Sequence, residues 1–346
     1  MSDTTRSMRE LVDALCSDVC AGRAPGTAGH REARRLVVEA MRGAGLDPFE
    51  QAVPAARGSN VLAIVPGELD RYVLIGSHYD HLGTVGGEIY RGADDNAAAV
   101  AILVEVGRAL ATGRLEGRGV ILAAFDAEEP PHFLSSAMGS EHFALHPVLP
   151  LETIDLAIVM DLVGHTVGHG ALPEEVQNTV FALGAERSAG TAKLVESTQE
   201  EGVFVRRIDA EIIPPMSDYA PFWKRERPFL FLTNGRSRVY HTPEDVPDAL
   251  AWNKMAATAK WLEAFVRAAC SRDSSPSVFT NQRDDASTLE SLLAITASLS
   301  AYSPEAALAK ERLRSLRSAL RADGTLPEPR YAELLAFASG LESALA

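Results

Sequence analysis

Four short apolar runs stand out along the chain, and longer stretches of mixed character separate them. They cover residues 72–75, 120–125, 156–160 and 229–232. Uninterrupted apolar runs of this length are typical of strands that are buried on both faces. Much of the sequence between them has the periodicity of amphipathic helices. Apolar strands that alternate with helices predict an α/β fold, in which helices cover both faces of a mainly parallel sheet.

The remaining pattern predicts further elements around these strands. Two more strands are predicted at residues 49–53 and 60–65, and a helix is expected to begin near Gly139. Helical periodicity and end signals predict helices at residues 6–20, 27–42, 96–110, 174–185, 218–223 and 248–270.

The composition changes after Cys270. Residues 271–287 are rich in Ser, Asp and Asn and are predicted to be a linker. Helical periodicity returns at residues 289–299, 304–322 and 331–345. We therefore predict an α/β domain over residues 1–270, a linker over 271–287 and a helical appendage over 288–346. We interpret the appendage as a packing element or a homo-oligomer contact rather than as a functional module.

Composition narrows the class of protein. The chain of 346 residues is 46% hydrophobic and 23% charged, with a net charge of −14 and a pI near 5.1. This acidity argues against nucleic acid or an anionic membrane as the main partner. No apolar run approaches the roughly 18 residues of a membrane span, and the polar N-terminus lacks a signal-peptide core. We expect a cytoplasmic protein whose cysteines (Cys16, Cys20 and Cys270) are buried thiols rather than a disulfide framework.

Each of the four apolar runs is followed by a side chain that can bind a metal. These side chains are, in chain order, His78, Glu129, Asp161 and His241. Ligand sites in open α/β sheets lie outside the carboxyl ends of the strands. We therefore expect the four side chains to meet at one edge of the sheet.

Asp95, in a Gly-Ala-Asp-Asp-Asn segment before an alanine-rich helix, supplies a fifth ligand of the same kind. Zinc accepts imidazole nitrogen and carboxylate oxygen. Two metals about 3.5–4 Å apart need one shared carboxylate and further terminal ligands for each ion. The donor set that meets this requirement is His78, Asp95, Glu129, Asp161 and His241. Since no cysteine lies near the strand ends, a hydrolytic centre is favoured over a structural zinc site.

Two further carboxylates have expected roles beside these ligands. Glu128 precedes the ligand Glu129 and is free to act as the general base. Asp80 is expected to accept a hydrogen bond from His78 and orient it, or else to cap its loop. The other histidines near the motifs are interpreted as ordinary polar residues; they are His81, His132, His165 and His169.

Six segments together resemble the M28 family of metallopeptidases. They read GSHYDHLG, GADDNAAAV, FDAEE, VMDLVGH, SDYAPF and YHTPEDV, within a match over residues 22–269. The family contains co-catalytic zinc aminopeptidases and shares a superfamily with glutaminyl cyclases. The resemblance implies a mixed, largely parallel sheet and two Zn²⁺ ions, with other divalent metals as alternatives.

The resemblance also implies roles for single residues. His78 and Asp161 would hold one metal, Glu129 and His241 the other, and Asp95 would bridge them.

It further implies that Glu128 is the base and that the Asp95–Asn96 peptide bond is cis. Tyr240 resembles a residue that stabilises the oxyanion in some members, although a packing role is equally compatible with its position.

This chain departs from the family's usual pattern in an insertion at residues 130–138. With its two prolines, the insertion is expected to form a stiff ledge over the cleft and to affect substrate preference.

The function expected from these residues is metal-dependent hydrolysis. An aminopeptidase would remove N-terminal residues from a peptide or small amide with a free N-terminus, using a metal-activated water and a glutamate base. One alternative is a glutaminyl cyclase-like acyltransferase with a single metal. Another is a non-catalytic binding or assembly protein on the same fold, which would require a missing ligand or base.

Overall fold

A computed structural model describes residues 2–346, which form eleven α-helices and ten β-strands. The helices are α1 Asp3–Leu15, α2 Ala28–Gly43, α3 Ala98–Leu110, α4 Gly139–Leu145, α5 Glu174–Gln177, α6 Thr191–Ser197, α7 Ala220–Lys224, α8 Trp252–Ser271, α9 Asp285–Leu299, α10 Pro304–Arg317 and α11 Glu328–Leu345. The strands are β1 Phe49–Val53, β2 Gly58–Val65, β3 Gly67–His78, β4 Gly83–Val85, β5 Glu88–Tyr90, β6 Leu115–Phe125, β7 Ile154–Met160, β8 Thr179–Leu183, β9 Phe204–Ile208 and β10 Phe229–Thr233.

Eight strands form one sheet in the order β1-β2-β6-β3-β7-β10-β8-β9. The four central strands β6, β3, β7 and β10 are mutually parallel. Antiparallel pairs join β1 to β2, β2 to β6 and β10 to β8. This arrangement confirms the predicted mixed, largely parallel sheet. The two remaining strands, β4 and β5, pair separately as an antiparallel hairpin.

Apolar side chains on both faces explain why the buried middle parts of the central strands are apolar, although β3 and β6 carry polar residues nearer their beginnings. Along β6, Val120 and Leu122 belong to one core cluster, whereas Ile121 and Ala123 belong to the other. Helices α1, α2, α3 and α8 contribute to the first cluster, and α4 and α7 contribute to the second. Because successive side chains of a strand point to opposite faces, a strand covered on both sides must be apolar throughout.

The predicted helix over residues 174–185 is confirmed only as far as Gln177 and is wrong beyond it. Helix α5 ends at Gln177, and Thr179–Leu183 forms β8, which pairs with β9 and β10. The Thr-Val-Phe-Ala-Leu run carries β-branched and aromatic residues that suit a strand. Its pairing partners β9 and β10 follow it in the chain, so periodicity within the segment could not reveal them.

The helices of the C-terminal segment are hydrogen-bonded to the edge of the sheet. Helix α9 begins at Asp285, inside the range predicted as linker. The Oγ of Ser291 donates to the carbonyl oxygen of Arg207 in β9, and the Oγ1 of Thr288 accepts from the amide of Asp209. The division of the chain at residue 270 stays a prediction, but the helices after it are attached by specific contacts.

All three cysteines are buried as free thiols, in agreement with the sequence expectation. Among residues 2–346, no helix has both the length and the apolar character required to cross a membrane.

Candidate active site

The sheet topology explains how distant residues come together. Strands β6, β3, β7 and β10 are parallel neighbours, so their carboxyl ends lie at the same edge. His78 is the last residue of β3, Glu129 follows β6, and Asp161 follows β7. His241 is on the loop after β10, and Asp95 lies in the non-helical segment just before α3. The five predicted metal ligands therefore meet at one rim.

The first cluster contains His78, Asp95 and Asp161. The Nε2 atom of His78 lies 3.3 Å from Oδ1 of Asp95 and 3.5 Å from Oδ1 of Asp161. His78 is fully buried, since it ends a strand at the centre of the sheet. One nitrogen and two carboxylate oxygens thus converge on a space of the size of a single ion.

The second cluster surrounds the other oxygen of Asp95. The Nε2 atom of His241 lies 3.1 Å from Oδ2 of Asp95 and 3.4 Å from Oε2 of Glu129. The Nδ1 atom of His81 lies 2.7 Å from Oε1 of Glu129. Asp95 therefore presents one oxygen to each cluster, which is the geometry of a bridging carboxylate.

Several buried atoms at these clusters have no hydrogen-bond partner among residues 2–346. They are Nε2 of His78, both ring nitrogens of His81, Oε1 of Glu129 and Oδ1 of Asp161. The close approach of His81 to Glu129 is not aligned as a hydrogen bond. Buried polar atoms without partners are unfavourable, and imidazole with carboxylate is a donor set that zinc prefers. These residues therefore fit divalent metal ions.

The electrostatics of the site also favour cations. Five acidic side chains are buried near one another, and the partly buried Asp161 lies beside them; the five are Asp80, Asp95, Glu128, Glu129 and Asp218. Burial opposes ionisation of Asp95, but contacts with His241 and His78 hold its pKa well below the usual range. Burial also disfavours a charged His241, yet Asp95 and Glu129 raise its pKa to about 10. A cation placed among these acidic side chains is therefore stabilised.

Asp80 contacts both His78 and the glutamate pair. Its carboxylate accepts hydrogen bonds from the amides of Glu128 and Glu129, at 3.0 and 3.2 Å. The Nδ1 atom of His78 lies 3.2 Å from the backbone carbonyl oxygen of Asp80 and 3.6 Å from its carboxylate. The carboxylate thus holds the glutamate turn and lies beside the imidazole, so an orienting role towards His78 stays a prediction.

Glu128 and Tyr240 lie beside the clusters. Oε2 of Glu128 is 3.9 Å from Nε2 of His78, and burial raises the pKa of Glu128 well above its usual value. The Tyr240 ring stacks on His241 at 3.9 Å between centroids. Burial, together with carboxylates such as Asp95, also raises the pKa of Tyr240, so its hydroxyl remains a hydrogen-bond donor. Both residues line the same cavity as the clusters.

The sequence model of Peptidase family M28 matches residues 60–266. The chain belongs to this family. An uncharacterized protein of Escherichia coli, YfbL, is 28% identical over 247 residues, which cover 64% of this chain and 74% of YfbL. A glutaminyl-peptide cyclotransferase of Drosophila melanogaster is 25% identical over 69% of this chain and 73% of its own.

Among solved structures, a Zn-dependent exopeptidase from Parabacteroides distasonis is similar to this M28 protein. The TM-score is 0.60 at 18% identity, with 76% of this chain and 97% of the exopeptidase covered. At this identity the likeness shows a shared fold.

Two residues of the M28 site were not singled out from the sequence. His81 lies in the second cluster instead of being an ordinary polar residue. Asp218 is fully buried, neither of its carboxylate oxygens has a partner among residues 2–346, and burial raises its pKa to about 7. Its neighbour Ser217 donates a hydrogen bond to Oδ2 of Asp161 at 2.7 Å. Ser217 and Asp218 lie in the SDYAPF motif, but no apolar run directly precedes this motif, so strand ends could not identify them.

A network of backbone contacts holds Asp95 in place. The carboxylate of Asp245 accepts hydrogen bonds from the amides of Asp94 and Asp95, at 2.8 and 3.1 Å. The Asp95–Asn96 peptide bond is cis, as the resemblance implied. Gly92 has a positive φ of 57°, and a Cβ there would lie 2.2 Å from the carbonyl oxygen of Asp95. Only glycine fits at this position.

The Arg23 side chain contacts the same segment, residues 91–95, through its guanidinium group. It is fully buried, and its guanidinium donates to the carbonyl oxygens of Tyr79, Leu15, Arg91, Gly92 and Asp95. These acceptors come from three separate parts of the chain. A planar group with five donors suits such a set of carbonyls.

Replacing Arg23 by methionine is expected to lower the free energy of unfolding by about 3 kcal/mol, because several buried carbonyl groups lose their donor. Urea denaturation provides the measurement. Arg42→Met changes an exposed arginine in the same way and serves as the control. Equal stability of the two variants would show that the Arg23 contacts contribute little.

Proposed function

We propose that this M28 protein is a zinc-dependent aminopeptidase, which removes N-terminal residues from peptides or small amides with a free N-terminus. The observation that carries the proposal is the position of Asp95. Its two oxygens face two separate clusters of histidine and carboxylate, and Glu128 lines the same cavity without belonging to either cluster. Paired metal sites of this kind are typical of hydrolytic enzymes such as aminopeptidases.

In this proposal Asp95 would contribute one oxygen to each of two zinc sites. His78 and Asp161 would complete one site, and Glu129 and His241 would complete the other. Zinc bound there would supply a Lewis acid that polarises a carbonyl group and lowers the pKa of water. His81 lies beside Glu129 and would be a further imidazole donor for the second site.

Glu128 acts as the proton carrier. It accepts a proton from the attacking water as the carbon–oxygen bond forms, and it donates that proton to the leaving nitrogen as the carbon–nitrogen bond breaks. The Tyr240 hydroxyl donates a hydrogen bond to the oxygen of the carbonyl under attack, where negative charge develops. A buried position beside the clusters suits Glu128 for both transfers.

A glutaminyl cyclase-like activity is the second candidate. The similarity to the Drosophila melanogaster glutaminyl-peptide cyclotransferase supports it. That reaction would require the cavity to accept the polar side chain of an N-terminal glutamine, whereas the cavity walls beyond the carboxylates are mainly apolar. A non-catalytic binding protein is disfavoured, because every expected ligand and the expected base are present.

Chelation tests the proposal. We expect the purified protein to contain about two zinc equivalents, and to release p-nitroaniline from aminoacyl p-nitroanilides. Removal of the metal with EDTA should abolish release, and added zinc should restore it. Cyclisation of glutaminyl peptides without any anilide hydrolysis would instead establish the cyclase.

A further inference from the structure

A cavity of about 560 Å³ extends from the metal clusters to the C-terminal helices. Asp95, Glu128 and Asp161 form the polar end of the cavity. The cavity then continues to Leu341 and Leu345 of α11. A volume of this size is typical of small-molecule sites, which lie at roughly 300–1,000 Å³. The cavity is therefore large enough for a substrate side chain next to the reacting bond.

The part of the cavity away from the metal clusters is mainly apolar. The sheet contributes Phe181 from β8 and Phe231 from β10, the loop after β9 contributes Ile212, and α9 contributes Leu292. Apolar surface in contact with water is stabilised when an apolar group covers it. This lining is suited to an aliphatic or aromatic side chain.

Helix α11 carries one apolar stripe whose two halves have different surroundings. Tyr331 and Leu334, in the first half, are buried in a core that the C-terminal helices form among themselves. Ala338, Leu341 and Leu345 continue the stripe at helical spacing and also pack against apolar clusters, but they are only half-buried and line the cavity. The exposed part of the second half of the stripe therefore faces the space in which a ligand would lie.

Specific contacts hold α11 against the loops of the site. Glu342 pairs with Arg236 at 3.1 Å, on the loop that leads from β10 to His241. The Tyr331 hydroxyl donates to the carbonyl oxygen of Glu211 at 3.3 Å. The family match ends at residue 266, so α11 lies outside the shared region. This wall of the cavity is an addition to the M28 part of the chain.

We propose that α11 forms the wall of the pocket that receives the side chain of the substrate's N-terminal residue, and that it selects large apolar side chains such as leucine or phenylalanine over alanine. This inference rests on the proposed aminopeptidase function. It assigns α11 a role in substrate selection, whereas the sequence pattern alone predicts a packing element or a homo-oligomer contact.

The test compares two identical substitutions on one helix. Ala338→Phe fills the cavity, whereas Ala336→Phe places the same ring on an exposed position of α11 outside it. The ratio of kcat/KM for leucyl to alanyl p-nitroanilide should fall at least about tenfold in the first variant, because a filled apolar pocket loses its preference for the larger group. The second variant should keep the wild-type ratio. Leu341→Ala removes wall atoms and should lower the ratio in the same direction.

Calorimetric binding of L-leucine and L-alanine to the zinc-loaded protein gives a second readout that requires no turnover. We expect leucine to bind more tightly than alanine, and Ala338→Phe but not Ala336→Phe to remove the difference. Folded variants with unchanged ratios in both measurements would overturn the role of α11. Absence of anilide hydrolysis by the wild-type protein would overturn the aminopeptidase function, while the binding ratio would still decide whether α11 selects the side chain.

Discussion

Replacing Glu128 by glutamine is expected to lower kcat for aminoacyl anilides by about 10²- to 10⁴-fold, the range that general acid–base groups contribute. Glutamine has nearly the same shape but cannot accept the proton of the attacking water or pass it to the leaving nitrogen. Glu128 belongs to neither metal cluster, so metal binding should survive. Steady-state kinetics and zinc content of the same preparation provide the two measurements.

Glu10→Gln makes the same chemical change at an exposed position of α1 and should retain wild-type kinetics. Loss of zinc together with activity in Glu128→Gln would mean that Glu128 serves as a ligand. Wild-type turnover in that variant would exclude it as the base.

Replacing Asp95 by alanine is expected to weaken metal binding at both clusters, since its two oxygens face different clusters. Loss of a residue that merely supports a ligand reduces metal affinity by about 10- to 100-fold. Loss of a shared ligand should exceed this and abolish turnover. Equilibrium dialysis against zinc, followed by elemental analysis, measures the number of ions that remain bound.

His241→Ala is the informative comparison, because His241 contacts only the second cluster. It should weaken one site and leave zinc at the cluster of His78 and Asp161. If Asp95→Ala and His241→Ala lost the same number of ions, Asp95 would not bridge two metals.

Four of the five predicted metal ligands were accessible from the sequence because each follows a buried strand; the fifth, Asp95, was indicated by the segment before α3. The apolar runs that end before His78, Glu129 and Asp161 are strands β3, β6 and β7 in the structure. Parallel neighbours bring their carboxyl ends together, so residues more than 80 positions apart meet without any local signal. The match to Peptidase family M28 confirms the resemblance that the same motifs indicated.

Strand β8 and the C-terminal helices illustrate what periodicity does not reveal. The segment Thr179–Leu183 is short and apolar, and pairing with β9 and β10 makes it a strand instead of a helix. Helix α11 has an ordinary amphipathic pattern that is equally compatible with a dimer contact or with packing on its own chain. Only its docking beside His241 and Arg236 makes it part of the cavity wall.

The sequence by itself determined the α/β class, the central strands and the five donor residues, because burial on both faces and strand-end chemistry leave a local pattern. The tertiary structure alone decided which oxygen of Asp95 faces which cluster, that His81 and Asp218 join the site, and that α11 lines the cavity. These features depend on contacts between segments far apart in the chain, and such contacts leave no periodicity in either segment.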